Sequence, residues 1–132
     1  ISSKDFRIDY ITNKVIEEII IYNATGGRLD HYHALKNMLV RYIHLPISVV
    51  DNQNMIEIVN SKTTFAKDDY VYISFFAAEE GAIISLKGFK YPLNNHMLSM
   101  YDSIGLSNEI EDDEAVLETN NKKIFVYRSK RK

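Results

Sequence analysis

The pair Leu45-Pro46 divides the chain into two stretches with different hydrophobic periods, and few folds accommodate both. Before it, Leu29, Tyr32, Leu35, Met38, Leu39, Tyr42 and Ile43 recur at helical spacing, and Ile8, Ile11, Val15 and Ile16 do the same nearer the start. Between them Glu18-Ile19-Ile20-Ile21-Tyr22 reads as a short buried strand. A proline pushes the residue before it out of the α region, so the second helix must end there. Beyond it the chain is punctuated by turns. Ile47–Val50 and Met55–Val59 flank Asp51-Asn52-Gln53-Asn54 like a hairpin. Tyr70–Ala78 and Ala82–Phe89 flank Glu79-Glu80-Gly81 in the same way, as Ala115–Glu118 and Lys123–Tyr127 flank Asn120-Asn121. Short strands at this spacing argue a sandwich or barrel. The expectation is an α/β remnant over residues 1–46, a helix-strand-helix unit of a parallel-sheet domain, followed by an all-β sandwich over residues 47–132. A strand between two helices cannot satisfy both of its own backbone edges, so a parallel neighbour or another subunit must cover it.

Within the first stretch, Thr25-Gly26-Gly27-Arg28-Leu29-Asp30-His31 joins the strand to the second helix. Two glycines at such a junction permit positive φ and let backbone N–H groups approach an anion beside the positive end of a helix. Arg28 carries a permanently charged fork suited to phosphate oxygens. It serves equally well to pin the turn by pairing with Asp30. Asp30 is either an N-terminal acid favoured by the helix dipole or a carboxylate that holds a metal, a cationic substrate or the proton of an attacking hydroxyl.

Three further segments follow in fixed order: Asp51-Asn52, then Leu86-Lys87-Gly88-Phe89-Lys90-Tyr91-Pro92-Leu93, then Gly105-Leu106-Ser107-Asn108-Glu109. Together with the glycine bend they closely resemble the bacterial thiamin pyrophosphokinases, in which TGGRLDH, a DN pair, LKGFKYPL and GLSNE succeed one another. The resemblance runs from about Ile19 to about Tyr127. It implies an ATP-dependent transferase that moves a diphosphoryl group to the hydroxyl of thiamine, giving thiamine diphosphate and AMP. It further implies a homodimer dependent on Mg2+, with thiamine in a cleft that both subunits line. By the same resemblance Thr25, Gly26, Gly27 and Arg28 hold the nucleotide phosphates, Arg28 and Asp30 are catalytic, and Asp30, Ser107 and Asn108 contact thiamine. The family's acidic loop of the form DFDS is absent. Its KDxTD stretch is matched only in part by Lys4-Asp5-Phe6-Arg7-Ile8-Asp9, and Asn23 stands where glycine is common. These departures read as a C-terminal portion of such an enzyme, inactive alone if its front is missing.

The remaining candidates have plainer readings beside the functional ones. Ser107 and Asn108 suit a polar turn, and their hydroxyl and amide also offer the mixed donors and acceptors an aminopyrimidine needs. Glu109 stands next to them and attracts a cationic thiazolium. Lys87–Pro92 reads as shaping the sandwich edge and the dimer, with Gly88 at a bulge or close approach and Pro92 stopping a strand. His31 and His33 are not read as metal ligands, because residues two apart on a helix point in different directions and no cysteine completes a site. His44 and His96 read as surface or boundary residues. The rival to an enzyme is a non-catalytic β-sandwich that binds a ligand or a partner.

Composition narrows the partners. Sixteen basic against eighteen acidic residues leave a net charge of -2, which offers no field for a nucleic-acid backbone or an anionic membrane. Cysteine is absent, which excludes disulfides and suits a cytoplasmic setting. The longest apolar run, Val71–Ala78, is far short of the ~20 residues a spanning helix needs. The basic end, Arg128-Ser129-Lys130-Arg131-Lys132, reads as a solvated tail.

Overall fold

A computed structural model gives the architecture and describes residues 18–22 and 29–131. The helical stretch expected over Ile8–Glu17 and the bend from Asn23 to Arg28 lie outside the described residues. The elements are β1 (Ile19–Tyr22), α1 (Leu29–Arg41), β2 (Ile47–Val50), β3 (Asn54–Val59), β4 (Thr63–Ala66), β5 (Tyr72–Ala77), β6 (Ala82–Lys87), β7 (Leu93–Leu98), β8 (Glu114–Thr119) and β9 (Ile124–Ser129). They build two sheets, one of five strands in the order β1-β2-β3-β9-β5 and one of four in the order β4-β8-β6-β7. The result is an α-helix and a parallel strand pair joined to a β-sandwich.

Helix α1 forms because Leu35 and Leu39, four apart, share one face, while Asp30 in its first turn and Arg41 in its last complement the helix dipole. It stops at Arg41, ahead of Pro46, and a turn closed by the Leu45 N–H donating to the Tyr42 carbonyl (2.9 Å) leads to β2. The helix supplies the crossover that the parallel pair β1–β2 requires. The Ile19 N–H donates to the Pro46 carbonyl at 2.8 Å, so one sheet is continuous across Pro46. The apolar face of α1 packs on Ile21, Ile47, Val49, Ile56 and Phe125. At the edge of this layer the hydroxyls of Tyr32 and Tyr127 hydrogen-bond, and burial pushes both phenols above their ordinary range, so they stay protonated.

The main core lies between the sheets. Alternate residues point inward from each: Ile73, Phe75, Ala77, Ile124 and Val126 from one, Ala82, Ile84, Leu86, Ala115 and Leu117 from the other. Phe65, Phe75 and Phe89 meet edge to face, with centroids 5.4 to 6.1 Å apart, and so tie the two layers together.

Two of the three expected hairpins are corrected here. β2 and β3 do pair antiparallel, and Asp51 caps their turn by accepting from the N–H groups of Gln53 (2.8 Å) and Asn54 (2.7 Å). β5 and β6, however, belong to different sheets, as do β8 and β9. Both connections are arches that cross between layers, because the inward residues of each pair fill one core from opposite sides. The arches brace each other. Glu79 accepts from the Lys123 N–H at 2.8 Å, and Asn120 donates to the Gly81 carbonyl at 2.9 Å. The basic end is also not a free tail. β9 runs through Ser129, the Arg128 guanidinium pairs with Asp68 at 2.7 Å above the rings of Phe65 and Tyr70, and the Lys130 N–H donates to the Gln53 carbonyl.

Candidate functional site

The connection from β7 to β8 does two structural tasks at once. It first closes the outer edge of β5: the Phe75 N–H donates to the Gly105 carbonyl (3.1 Å), and Ile73 and Asn108 exchange backbone bonds at 2.8 and 2.9 Å. Gly105 is required here, since a Cβ would stand 2.5 Å from the Phe75 carbonyl oxygen. The same connection then pairs with the segment after β6, where the Lys90 N–H donates to the Glu109 carbonyl and the Glu111 N–H to the Gly88 carbonyl, both at 2.8 Å. Gly88 has φ 82 and lies so close to the Glu114 carbonyl that a Cβ would be 2.5 Å away, which accords with the close approach expected of it. Pro92 does not stop a strand: β6 has already ended at Lys87, and Pro92 precedes β7.

Ser107 sits at the crossing point between these two tasks. Its φ is 59, in a region that non-glycine residues rarely occupy and that persists where surroundings over-determine it. The surroundings are explicit. Its N–H donates to the hydroxyl of buried Ser74 on β5 at 2.8 Å, and the next residue is locked to Ile73. Ser107 is exposed, and its hydroxyl makes no hydrogen bond among the described residues.

Asn108 is the opposite, only 2% exposed. Its Oδ1 accepts from the N–H groups of Tyr91 and Glu109, each at 3.0 Å, and its Nδ2 donates to the Tyr91 carbonyl at 2.8 Å. The amide therefore imitates a strand partner for Tyr91. With one N–H left over, it acts by holding Tyr91 and the Ser107 turn in place. Tyr91 is 55% exposed, with the Lys90 ammonium 5.6 Å from its ring centroid and Lys90 paired to Glu109 at 3.8 Å. The rim of the site is thus Ser107, Tyr91, Lys90, Glu109 and exposed Leu106. Tyr91 was read from the sequence only as part of a segment that shapes the sandwich edge and the dimer, since what ties it to the Ser107 turn is a side-chain clamp from a residue seventeen positions away.

Asp30, the other described candidate, is exposed in the first turn of α1, and its Oδ1 accepts from the His31 N–H at 3.0 Å. Thr25, Gly26, Gly27 and Arg28 lie outside the described residues. Strand β1 leads toward them from the far side of the sheet. One row of register partners, Tyr22, Val50, Met55, Arg128, Ile73 and Asn108, runs across the whole sheet. At ~4.8 Å per strand spacing, Tyr22 and Asn108 stand about 24 Å apart, at the same end of the sheet but on opposite edges. Among the described residues no group of three or more His, Asp or Glu side chains converges as a metal site.

An open groove of about 600 Å³ lies elsewhere, on the outer face of the four-stranded sheet. Its polar groups satisfy one another, Lys87 with Glu118 at 2.9 Å and Ser85 with the Asn95 N–H at 2.9 Å. No described helix is long and apolar enough to cross a membrane.

Comparison with known proteins bears on the same segment. The profile of the family described as "Thiamin pyrophosphokinase, vitamin B1 binding domain" matches residues 57–124, which include Tyr91, Ser107 and Asn108. The thiamine pyrophosphokinase of Bacillus subtilis (strain 168) is 32% identical over 111 residues, 80% of this chain and 52% of that protein. The solved structure of thiamine pyrophosphokinase from Bacillus subtilis superposes with a TM-score of 0.86 at 29% identity, covering 94% of this chain and 61% of that one. That of thiamin pyrophosphokinase from Geobacillus thermodenitrificans gives 0.83 at 30% identity, covering 93% and 59%. The chain spans about half the length of the curated relatives it matches.

Proposed function

Because the chain belongs to the thiamin pyrophosphokinase family, in which it carries the vitamin B1 binding domain, we propose that it forms the thiamine-recognising part of an enzyme that transfers a diphosphoryl group from ATP to thiamine. The observation that carries this reading is the exposed Ser107, held at positive φ next to Asn108, whose amide clamps the backbone of exposed Tyr91, within the segment that the family profile covers. A hydroxyl both donates and accepts, which suits the amino group and ring nitrogens of an aminopyrimidine, and an exposed aromatic ring offers a stacking face. Glu109 attracts the thiazolium cation, while Lys90 tempers its charge.

In the proposed reaction the thiamine hydroxyl oxygen bonds to the β-phosphorus of ATP, the bridge to the α-phosphorus breaks, and AMP leaves with the bridging oxygen. Asp30 takes the hydroxyl proton or steadies the cationic substrate. Arg28 and the amides of Thr25, Gly26 and Gly27 meet the charge on the transferred group. Magnesium is proposed to arrive with the nucleotide. The described residues provide no ligand set for it, and no step here depends on one. A homodimer is part of the proposal, supported by the width of sheet between Tyr22 and Asn108 within one chain, so that Ser107 of one copy serves the glycine bend of the other. A cytoplasmic setting follows from the demand for ATP.

The test is turnover by the full-length protein supplied with ATP and thiamine, reading AMP and thiamine diphosphate together. Equal yields of the two are expected. Asp30→Asn and Arg28→Ala should each lower turnover by roughly 10²–10⁴-fold with folding intact, the range for loss of a positioned acid, base or charge clamp. A protein that forms no AMP yet keeps its ligand affinity through both substitutions is instead the non-catalytic binding module.

A further inference from the structure

We propose that His96 and Asp102 form a latch that sets the conformation of Ser107, making them positioning residues for thiamine recognition. The inference rests on the reading of Ser107 as a substrate contact. His96 lies on β7, an edge strand of the four-stranded sheet, and Asp102 lies in the connection that leaves it. The His96 Nε2 and the Asp102 Oδ2 are 2.9 Å apart, while the Asp102 Oδ1 accepts from the Ile104 N–H, also at 2.9 Å. One carboxylate therefore ties the connection to β7 and at the same time shapes the turn that enters Gly105. From there the chain is fixed to the other sheet by the Gly105 carbonyl and the Ser107 N–H.

Burial does not hold this stretch. Met100, Tyr101, Ile104 and Leu106 are all exposed, Tyr101 at 93%, so their side chains contribute little packing. Apart from the latch, the stretch ahead of Gly105 has only local turn bonds among the described residues, Asp102 N–H to the Ser99 carbonyl and Leu106 N–H to the Ser103 carbonyl, each 3.1 Å, and Tyr101 N–H to the Ser99 hydroxyl at 3.3 Å. A serine at φ 59 relaxes toward negative φ when the chain ahead of it is released, which re-aims its exposed hydroxyl. The latch thus fixes the entering side of a turn whose leaving side is fixed by Phe75, the Ser74 hydroxyl and Ile73, and Ser107 needs both sides held.

The experiment compares His96→Leu, His96→Gln, Asp102→Ala, the His96→Leu/Asp102→Ala double variant and Ser107→Ala in the full-length protein, measuring KM for thiamine, kcat, and amide hydrogen exchange at Ile104 and Ser107. His96→Leu and Asp102→Ala should raise KM several-fold to about 30-fold with kcat within about twofold, and should speed exchange at both amides; the double variant should do no more than either alone. His96→Gln keeps an N–H near the carboxylate and should stay close to the parent. If Ser107→Ala raises KM while His96→Leu and Asp102→Ala leave both KM and exchange unchanged, the latch is refuted and the substrate contact stands. If Ser107→Ala leaves KM unchanged, the substrate contact falls and the latch's role in recognition falls with it.

Discussion

The two edges of the five-stranded sheet are finished in opposite ways. At β5 the chain returns to cover its own edge, using Gly105, Ser107 and Asn108 in hydrogen bonds to Ile73, Ser74 and Phe75. At β1 no described residue pairs with the outer side of a four-residue strand whose Ile20 and Tyr22 are exposed. An uncovered strand edge is a template for another strand. The contrast shows where precision is built in: the closed edge holds a strained, exposed serine in one geometry, whereas at β1 no described residue does the same.

Substitutions at the two edges should therefore differ, beginning with the core behind them. Phe75→Ala removes the fully buried ring of the aromatic trio and should cost about 3–5 kcal/mol in denaturant unfolding. Ile20→Ser at the open edge should change the stability of this chain by less than about 0.5 kcal/mol. A larger loss for Ile20→Ser in the full-length protein would show that the edge is paired there. Next in size, Gly105→Ala drives a methyl against the Phe75 carbonyl and should destabilise by about 1–3 kcal/mol while abolishing thiamine binding. Calorimetric titration with thiamine checks the second part. Asn108→Ala strips partners from the Tyr91 N–H and carbonyl, for a loss of about 1–3 kcal/mol, and should weaken thiamine binding through Tyr91 with no direct contact removed.

The smallest effect concerns the side of the sheet toward the open edge. Burial pushes the Glu57 carboxyl above its ordinary value, with Arg128 and the Ser48 hydroxyl pulling it down in part and Glu18 adding to the rise. A carboxyl raised in the folded state binds its proton more readily there than in the unfolded chain, so its contribution is favourable at low pH and is lost as pH rises through the raised value. Glu57→Gln should accordingly be slightly more stable than the parent at neutral pH. That advantage should shrink on acidification toward the ordinary carboxylate range, as read by denaturant titrations across that interval.

Much of this was legible in the residues. The change of period at Pro46, the strand before the bend and the Asp51 turn all have local causes, and each is where the sequence puts it. β4 and β7 were not read as strands because both are edges of the four-stranded sheet, with Phe65 and Leu98 as their only fully buried side chains. So few inward residues per strand leave little alternation to detect. The arches were mistaken for hairpins because alternation reports which face a residue takes and says nothing of which strand lies beside it. At the candidate site, Ser107 and Asn108 were proposed by resemblance, but their different environments, one exposed and one clamped to Tyr91, depend on tertiary hydrogen bonds that no local pattern encodes.

The most direct measurement is a crystal structure of the full-length protein with thiamine and a non-hydrolysable ATP analogue. The account predicts the aminopyrimidine on Ser107 and the Tyr91 ring of one copy, with the nucleotide phosphates at residues 25–30 of a second. Thiamine lodged away from Ser107 and Tyr91, or both ligands held within a single chain, would contradict it.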